Sequence, residues 1–106
     1  MSLILKDTFP ELAQELEELL MAEKESDLAE QVSSLRIVDR CRCGDDFCAT
    51  FYTQAPPQGS YGSGHRNVAL EPKDGMLILD VVNDKIAKVE VLYRNEIRKV
   101  LLRTLP

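Results

Sequence analysis

Leucines at positions 12, 16, 19 and 20 recur at the spacing of one helical face, while Glu11, Glu15, Glu18 and Glu25 occupy the other side. The pattern predicts an amphipathic helix opening at Pro10, a residue suited to a first helical turn, with Asp7 or Thr8 as its cap. Ser26-Asp27 offers a second start, with Leu28 and Val32 on its buried side. The segment therefore reads either as one helix continuing to Ser33 or as a helix pair. From Leu35 the period changes to two. Residues 35–43 and 47–53 read as strands, with turn chemistry in Gly44-Asp45-Asp46 between them. Two prolines and three glycines within residues 55–64 suit no regular element, so this stretch is a loop.

The second half continues the strand pattern. Residues 67–70 form a short strand, and Pro72-Lys73-Asp74-Gly75 a turn. Residues 76–82 and 86–93 form a hairpin whose connection is Asn83-Asp84-Lys85, which sets Val82 opposite Ile86. Leu77, Leu79, Val81, Ala87, Val89 and Val91 then share an apolar face, and Asp80, Lys88 and Glu90 the other. Asn95 is placed to cap a last helix that turns Ile97, Val100, Leu101 and Leu105 inward. The expected fold is a single α+β domain over residues 1–106. An N-terminal helix or helix pair and a C-terminal helix pack on a four- to five-stranded, mainly antiparallel sheet.

Composition narrows the function. The chain has 106 residues, 44% hydrophobic and 29% charged, which suits one globular domain rather than a disordered chain. No apolar run approaches the length of a membrane span, and the first residues lack the charge and apolar pattern of a signal peptide. Three cysteines make no disulfide framework, so a reducing cytoplasm is the expected compartment. The net charge of −5, concentrated between Glu11 and Glu30, disfavours nucleic-acid binding and suits a basic protein partner.

All three cysteines fall within Cys41-Arg42-Cys43-Gly44-Asp45-Asp46-Phe47-Cys48. With Asp45-Asp46 as a two-residue turn, Cys43 faces Cys48 and Cys41 faces Thr50, and the thiols share one face. Three readings follow. Cys41, Cys43, Cys48 and His65 could supply the four ligands of a zinc ion, although this spacing is not that of a common zinc knuckle. Cys43 and Cys48 could form a redox pair, since directly opposed strand residues approach disulfide geometry. The thiols could also be ordinary core residues, because cysteine packs as a small hydrophobe. On the second strand Phe47, Ala49 and Phe51 compete with Cys48, Thr50 and Tyr52 for the buried face.

The second candidate region is Ser60-Tyr61-Gly62-Ser63-Gly64-His65-Arg66-Asn67, which matches neither a phosphate loop nor a dinucleotide fingerprint. Tyr61, His65 and Arg66, with Asp45 and Asp46 in the cysteine turn, are expected on turns beside the sheet and are candidates for partner contact. His65 lacks an evident nucleophile, so no enzymatic role is assigned.

The features C-R-C-G-D-D-F-C-A-T-F-Y, G-H-R-N-V and M-L-I-L-D-V-V-N-D-K-I-A-K-V-E-V-L-Y resemble those of small standalone bacterial α+β proteins without assigned enzymatic activity. Some small acidic proteins of this general kind are immunity proteins. The resemblance implies a non-enzymatic cytoplasmic interaction module that sterically blocks a cognate basic toxin domain, with no cofactor. Strand-edge pairing into a homodimer is a further expectation. The other reading is a zinc-binding or thiol redox-sensing protein that uses the cysteine hairpin.

Overall fold

The computed structural model describes residues 3–105. In chain order the elements are β1 (Leu3–Ile4), α1 (Leu5–Thr8), α2 (Pro10–Ala22), α3 (Ser26–Gln31), a 3-10 turn (Val32–Ser34), β2 (Arg36–Ile37), β3 (Asp39–Arg40), β4 (Phe51–Tyr52), β5 (His65–Ala69), β6 (Met76–Val82), β7 (Lys85–Leu92) and α4 (Asn95–Thr104). β1 and β2 form a small antiparallel pair, and the other five strands form an antiparallel sheet in the order β3-β4-β7-β6-β5. The expected α+β fold, with helices from both ends of the chain packed on one sheet, is present.

The helical leucines behave as their spacing requires. Leu12, Leu16 and Leu20 of α2 are buried, and Pro10 occupies its first turn. The expected cap differs. Asp7 and Thr8 are drawn into α1, so Phe9 takes the capping position and no side chain caps α2. The Thr8 hydroxyl instead donates to the Ile4 carbonyl at 2.9 Å. α2 ends where Lys24 adopts a left-handed φ of 60° and the Glu25 N–H returns to the Leu20 carbonyl at 2.9 Å. α3 then starts at Ser26, so the helix pair is the form observed.

Leu5, Leu16, Leu28, Val32 and Leu101 from the helices meet Phe51, Leu79, Val81 and Val89 from the sheet in one core. Helices from both ends of the chain therefore cover the same sheet face. This fixes the orientation of β4: Ala49 and Phe51 point into the core, whereas Phe47 is exposed.

Two registers differ from expectation. β6 and β7 are joined by a two-residue turn, Asn83-Asp84, and Val82 pairs with Lys85 instead of Ile86. Both turn residues have positive φ, at 50° and 64°, the backbone that lets a two-residue hairpin follow strand twist. Farther along, Asp80 pairs with Lys88 and Leu79 with Val89, so β7 carries one extra residue as a bulge. The bulge moves Ile86 into the contiguous core and leaves Ala87 buried outside it. The expected strand over residues 35–43 is also broken. β2 pairs with β1, and β3 joins the main sheet for only two residues.

Candidate metal centre

The cysteine segment is positioned by the short β3–β4 ladder. Asp39 pairs with Tyr52 and Arg40 with Phe51, and the Cys41 N–H continues the register by donating to the Thr50 carbonyl at 2.9 Å. The ladder ends there, before the expected Cys43–Cys48 pair. The turn is displaced by one residue, because the Cys48 N–H donates to the Asp45 carbonyl at 3.3 Å and puts Asp46 and Phe47 at its centre. Attachment to β7 accounts for the displacement. Phe47 stacks on Tyr93 with ring centroids 5.5 Å apart, its carbonyl accepts the Tyr93 N–H at 2.9 Å, and Cys48 bridges to Leu92. Gly44, with φ of 83°, leads the chain into this turn through the left-handed region.

The thiols nevertheless converge. The sulfurs of Cys41, Cys43 and Cys48 all lie within 4.8 Å of one another. Two sulfurs bound to one tetrahedral zinc ion, each at about 2.3 Å, stand about 3.8 Å apart, so small side-chain rotations suffice to close on an ion. A disulfide requires about 2.0 Å, and the three residues are separate thiols. Cys43 is exposed, whereas Cys41 and Cys48 are half-buried, so the group opens to solvent at Cys43.

Thr50 anchors the inner side. Its hydroxyl accepts the Val91 N–H at 3.0 Å just ahead of the β4–β7 ladder. Burial opposes ionisation of Cys48. Hydrogen bonds from the Thr50 hydroxyl and N–H and from the Cys43 and Cys41 thiols outweigh it, and hold Cys48 below the ordinary thiol range. Cys43 moves the other way. The Asp45 N–H favours its thiolate, but burial and the hydrogen bonds with Cys48 and Cys41 push it up to about 11.

A cavity of about 50 Å³ adjoins the sulfurs, walled by Arg40 and by Arg98, Leu101 and Leu102 of α4. That space holds one or two waters at about 30 Å³ each, or one ion, and is far below the several hundred cubic ångströms of an organic-ligand pocket. Arg40 is held in place by its Nε, which donates to the Leu105 carbonyl at 2.5 Å. Arg42 points to Asp39, which it meets at 2.8 Å.

His65, the expected fourth ligand, lies outside this cluster. It sits on β5, at the opposite edge of the sheet from β3, and its Nε2 donates to Asp80 Oδ1 at 2.7 Å. The zinc set of three cysteines and His65 is corrected accordingly: the sheet order separates the histidine from the thiols. The other candidates have contacts of their own. The Tyr61 ring packs on His65 with centroids 4.7 Å apart, and its hydroxyl is buried. Arg66 makes a bidentate pair with Glu25 at 2.9 and 3.0 Å. Asp45 and Asp46 are exposed in the cysteine turn.

The polar face expected for Asp80, Lys88 and Glu90 extends across the sheet as a row that sequence reasoning did not join. Tyr52, Lys88, Asp80 and Asn67 pair in sequence across β4, β7, β6 and β5. The Lys88 ammonium lies 5.4 Å from the Tyr52 ring centroid. Asp80 is 4% exposed, and its Oδ1 accepts both His65 Nε2 and Asn67 Nδ2 at 2.7 Å. Burial opposes its ionisation, but hydrogen bonds from Glu90, His65 and Asn67 and the charge of Lys88 hold it below the usual carboxylate range. The hydrogen bond to Asp80, reinforced by burial, pushes Glu90 up to about 7. Burial, then the charges of Asp80, Tyr52 and Glu90, push Tyr61 up to about 12. The apolar/polar alternation of β6 and β7 marks this face. The link from Asp80 to His65 depends on β5 pairing, which no local pattern reveals.

No protein-family model, curated protein or solved structure matches the chain. Among the described residues no helix is long and apolar enough to cross a membrane.

Proposed function

We propose that this protein binds a metal ion through Cys41, Cys43 and Cys48. The observation that carries the reading is the convergence of three sulfurs within 4.8 Å from the loop between β3 and β4. Three thiols beside a cavity of ionic size form a ligand set for a thiophilic ion. Thr50 supports the set by fixing the backbone beside Cys48, and Arg40 and Arg98 place positive charge near the thiolates that a bound ion requires. The protein's role in this reading is binding, and no reaction is assigned to it. A protein partner remains compatible with the chain's acidity, but its candidate contact residues do not converge as the thiols do.

Elemental analysis of protein purified under reducing conditions without added metal tests the proposal. Roughly one ion per chain is expected, lost when Cys41 and Cys48 are both replaced by serine. Trace metal that the double substitution leaves unchanged overturns it. Quantitative disulfide formation in a metal-free protein would favour the thiol redox reading instead.

A further inference from the structure

We infer that the triad is built for a soft, three-coordinate thiophilic ion, with an all-sulfur set, rather than for tetrahedral zinc. The inference rests on the metal-binding reading above and concerns the coordination number and class of the ion.

The donor set is the first ground. Among the described residues, the ligating group contains three sulfur atoms and no histidine or carboxylate. The side chains that complete the cavity wall are poor fourth ligands. Arg40 and Arg98 are cationic, Leu101 and Leu102 are apolar, and the Thr50 hydroxyl accepts the Val91 N–H and donates to Cys48. Asp45 also lines the space, but its carboxylate is not among the ligand atoms that converge there. Zinc in a closed structural site takes four protein ligands, whereas soft ions such as copper(I) favour thiolates and accept fewer.

Space is the second ground. The cavity of about 50 Å³ leaves no room behind the sulfurs for a shell of several waters at about 30 Å³ each, so on its inner side an ion meets sulfur and the α4 wall. It can hold an ion stripped of water and bound by sulfur. The α4 wall presents leucine and guanidinium groups to that ion, which disfavours hard oxygen coordination while compensating the thiolates. Exposure of Cys43 gives the ion a route in from solvent, with Cys41 and Cys48 completing the set behind it.

Two probes share this chemistry. Copper(I) replaces the thiol protons and is held by the three sulfurs. Arsenite, as As(OH)3, condenses with three thiols; three As–S bonds form, three As–OH bonds break and three waters leave, with no change in oxidation state. Each is added to the reduced full-length protein, copper(I) against a competing chelator, and cobalt(II) is added separately as a reporter for zinc-like tetrahedral binding.

The expected result is one copper(I) per chain with three sulfur neighbours by X-ray absorption, or one arsenite that consumes all three thiols. Binding by one probe and not the other identifies which ion the site suits. Cys43→Ser, at an exposed position, should keep the fold by circular dichroism and weaken binding at least about tenfold. Asp45→Asn should leave the affinity unchanged. Tight tetrahedral cobalt(II) binding that Asp45→Asn weakens overturns the three-coordinate assignment and leaves the metal centre standing. Absence of binding by copper(I), arsenite and cobalt(II) alike overturns both.

Discussion

At the scale of single residues, Glu90 carries the clearest pH dependence. Asp80 Oδ2 is buried without a donor, and the neighbouring Glu90 is raised chiefly by a hydrogen bond to Asp80 that requires a proton on Glu90. His65 and Asn67 from β5, Lys88 from β7, and Tyr52 and Tyr61 complete the surroundings. Glu90 is raised from 4.5 to about 7 in the folded chain. Its contribution to stability is therefore fully present below about 4.5 and is lost as pH rises through about 7. Asp80 is shifted down, so its own contribution is lost only as pH falls through its lowered folded value. Because Glu90 is partly exposed, the loss is on the order of 1 kcal/mol after solvent screening is discounted. Glu90→Gln places a permanent amide donor beside Asp80. Urea denaturation at about pH 6 and about pH 8.5 should show the parent protein weakening at the higher pH and the variant holding its stability. Parallel pH profiles would rule out the shared proton.

At the scale of elements, the β6–β7 hairpin shows how backbone geometry and side-chain pattern divide the work. Asn83 and Asp84 both adopt the left-handed region, where a residue with a Cβ is strained and glycine is not. Asp84→Gly should stabilise the protein by about 0.5–1 kcal/mol, measured as a higher urea midpoint at unchanged slope. A loss of stability would show that the Asp84 side chain has a compensating contact. The hairpin's alternation made its core face legible: Leu77, Leu79, Val81, Val89 and Val91 are all buried. Its bulge was not legible, because the groups that hold it are distant. The Gln31 side chain accepts the Ile86 N–H at 2.9 Å and donates to the Asp84 carbonyl at 2.7 Å, and the Thr53 hydroxyl donates to the Ile86 carbonyl at 2.8 Å. The cysteine hairpin divides similarly. The spacing of the cysteines about a glycine turn pointed to their convergence, but the turn's true position depended on Phe47 meeting Tyr93, just past β7. Exclusion of His65 depended on strand order, a property of the whole sheet.

At the scale of the whole molecule, two bidentate ion pairs among the described residues tie the N-terminal helices to the second half of the chain, and their surroundings make them unequal. Glu25, at the end of the α2–α3 connection, pairs with Arg66 of β5, whose side chain is 46% exposed. Glu15 of α2 pairs with Arg94 at 2.8 and 2.9 Å across 79 residues of chain, and the Arg94 side chain is only 12% exposed. Arg94 Nε and Nη2 also donate to the Asp74 carbonyl at 3.1 and 2.8 Å, so one guanidinium joins α2, the turn before β6 and the entry to α4. Water can replace the partners of Arg66 easily, and exposed pairs contribute little, so Arg66→Ala should cost less than about 1 kcal/mol. Arg94→Ala removes four hydrogen bonds, to Glu15 and to the Asp74 carbonyl, at a sheltered position and should cost about 1.5–3 kcal/mol. Arg94→Lys should recover little of this, because one ammonium cannot span both Glu15 oxygens and the Asp74 carbonyl in the same geometry. Added salt should also weaken the Arg66 pair more, since screening acts chiefly on exposed charges. Urea denaturation of the three variants at low and high salt measures the difference. Equal losses from Arg66→Ala and Arg94→Ala, with equal salt sensitivity, would mean that the sheltered guanidinium does not fasten α2 to the turn before β6.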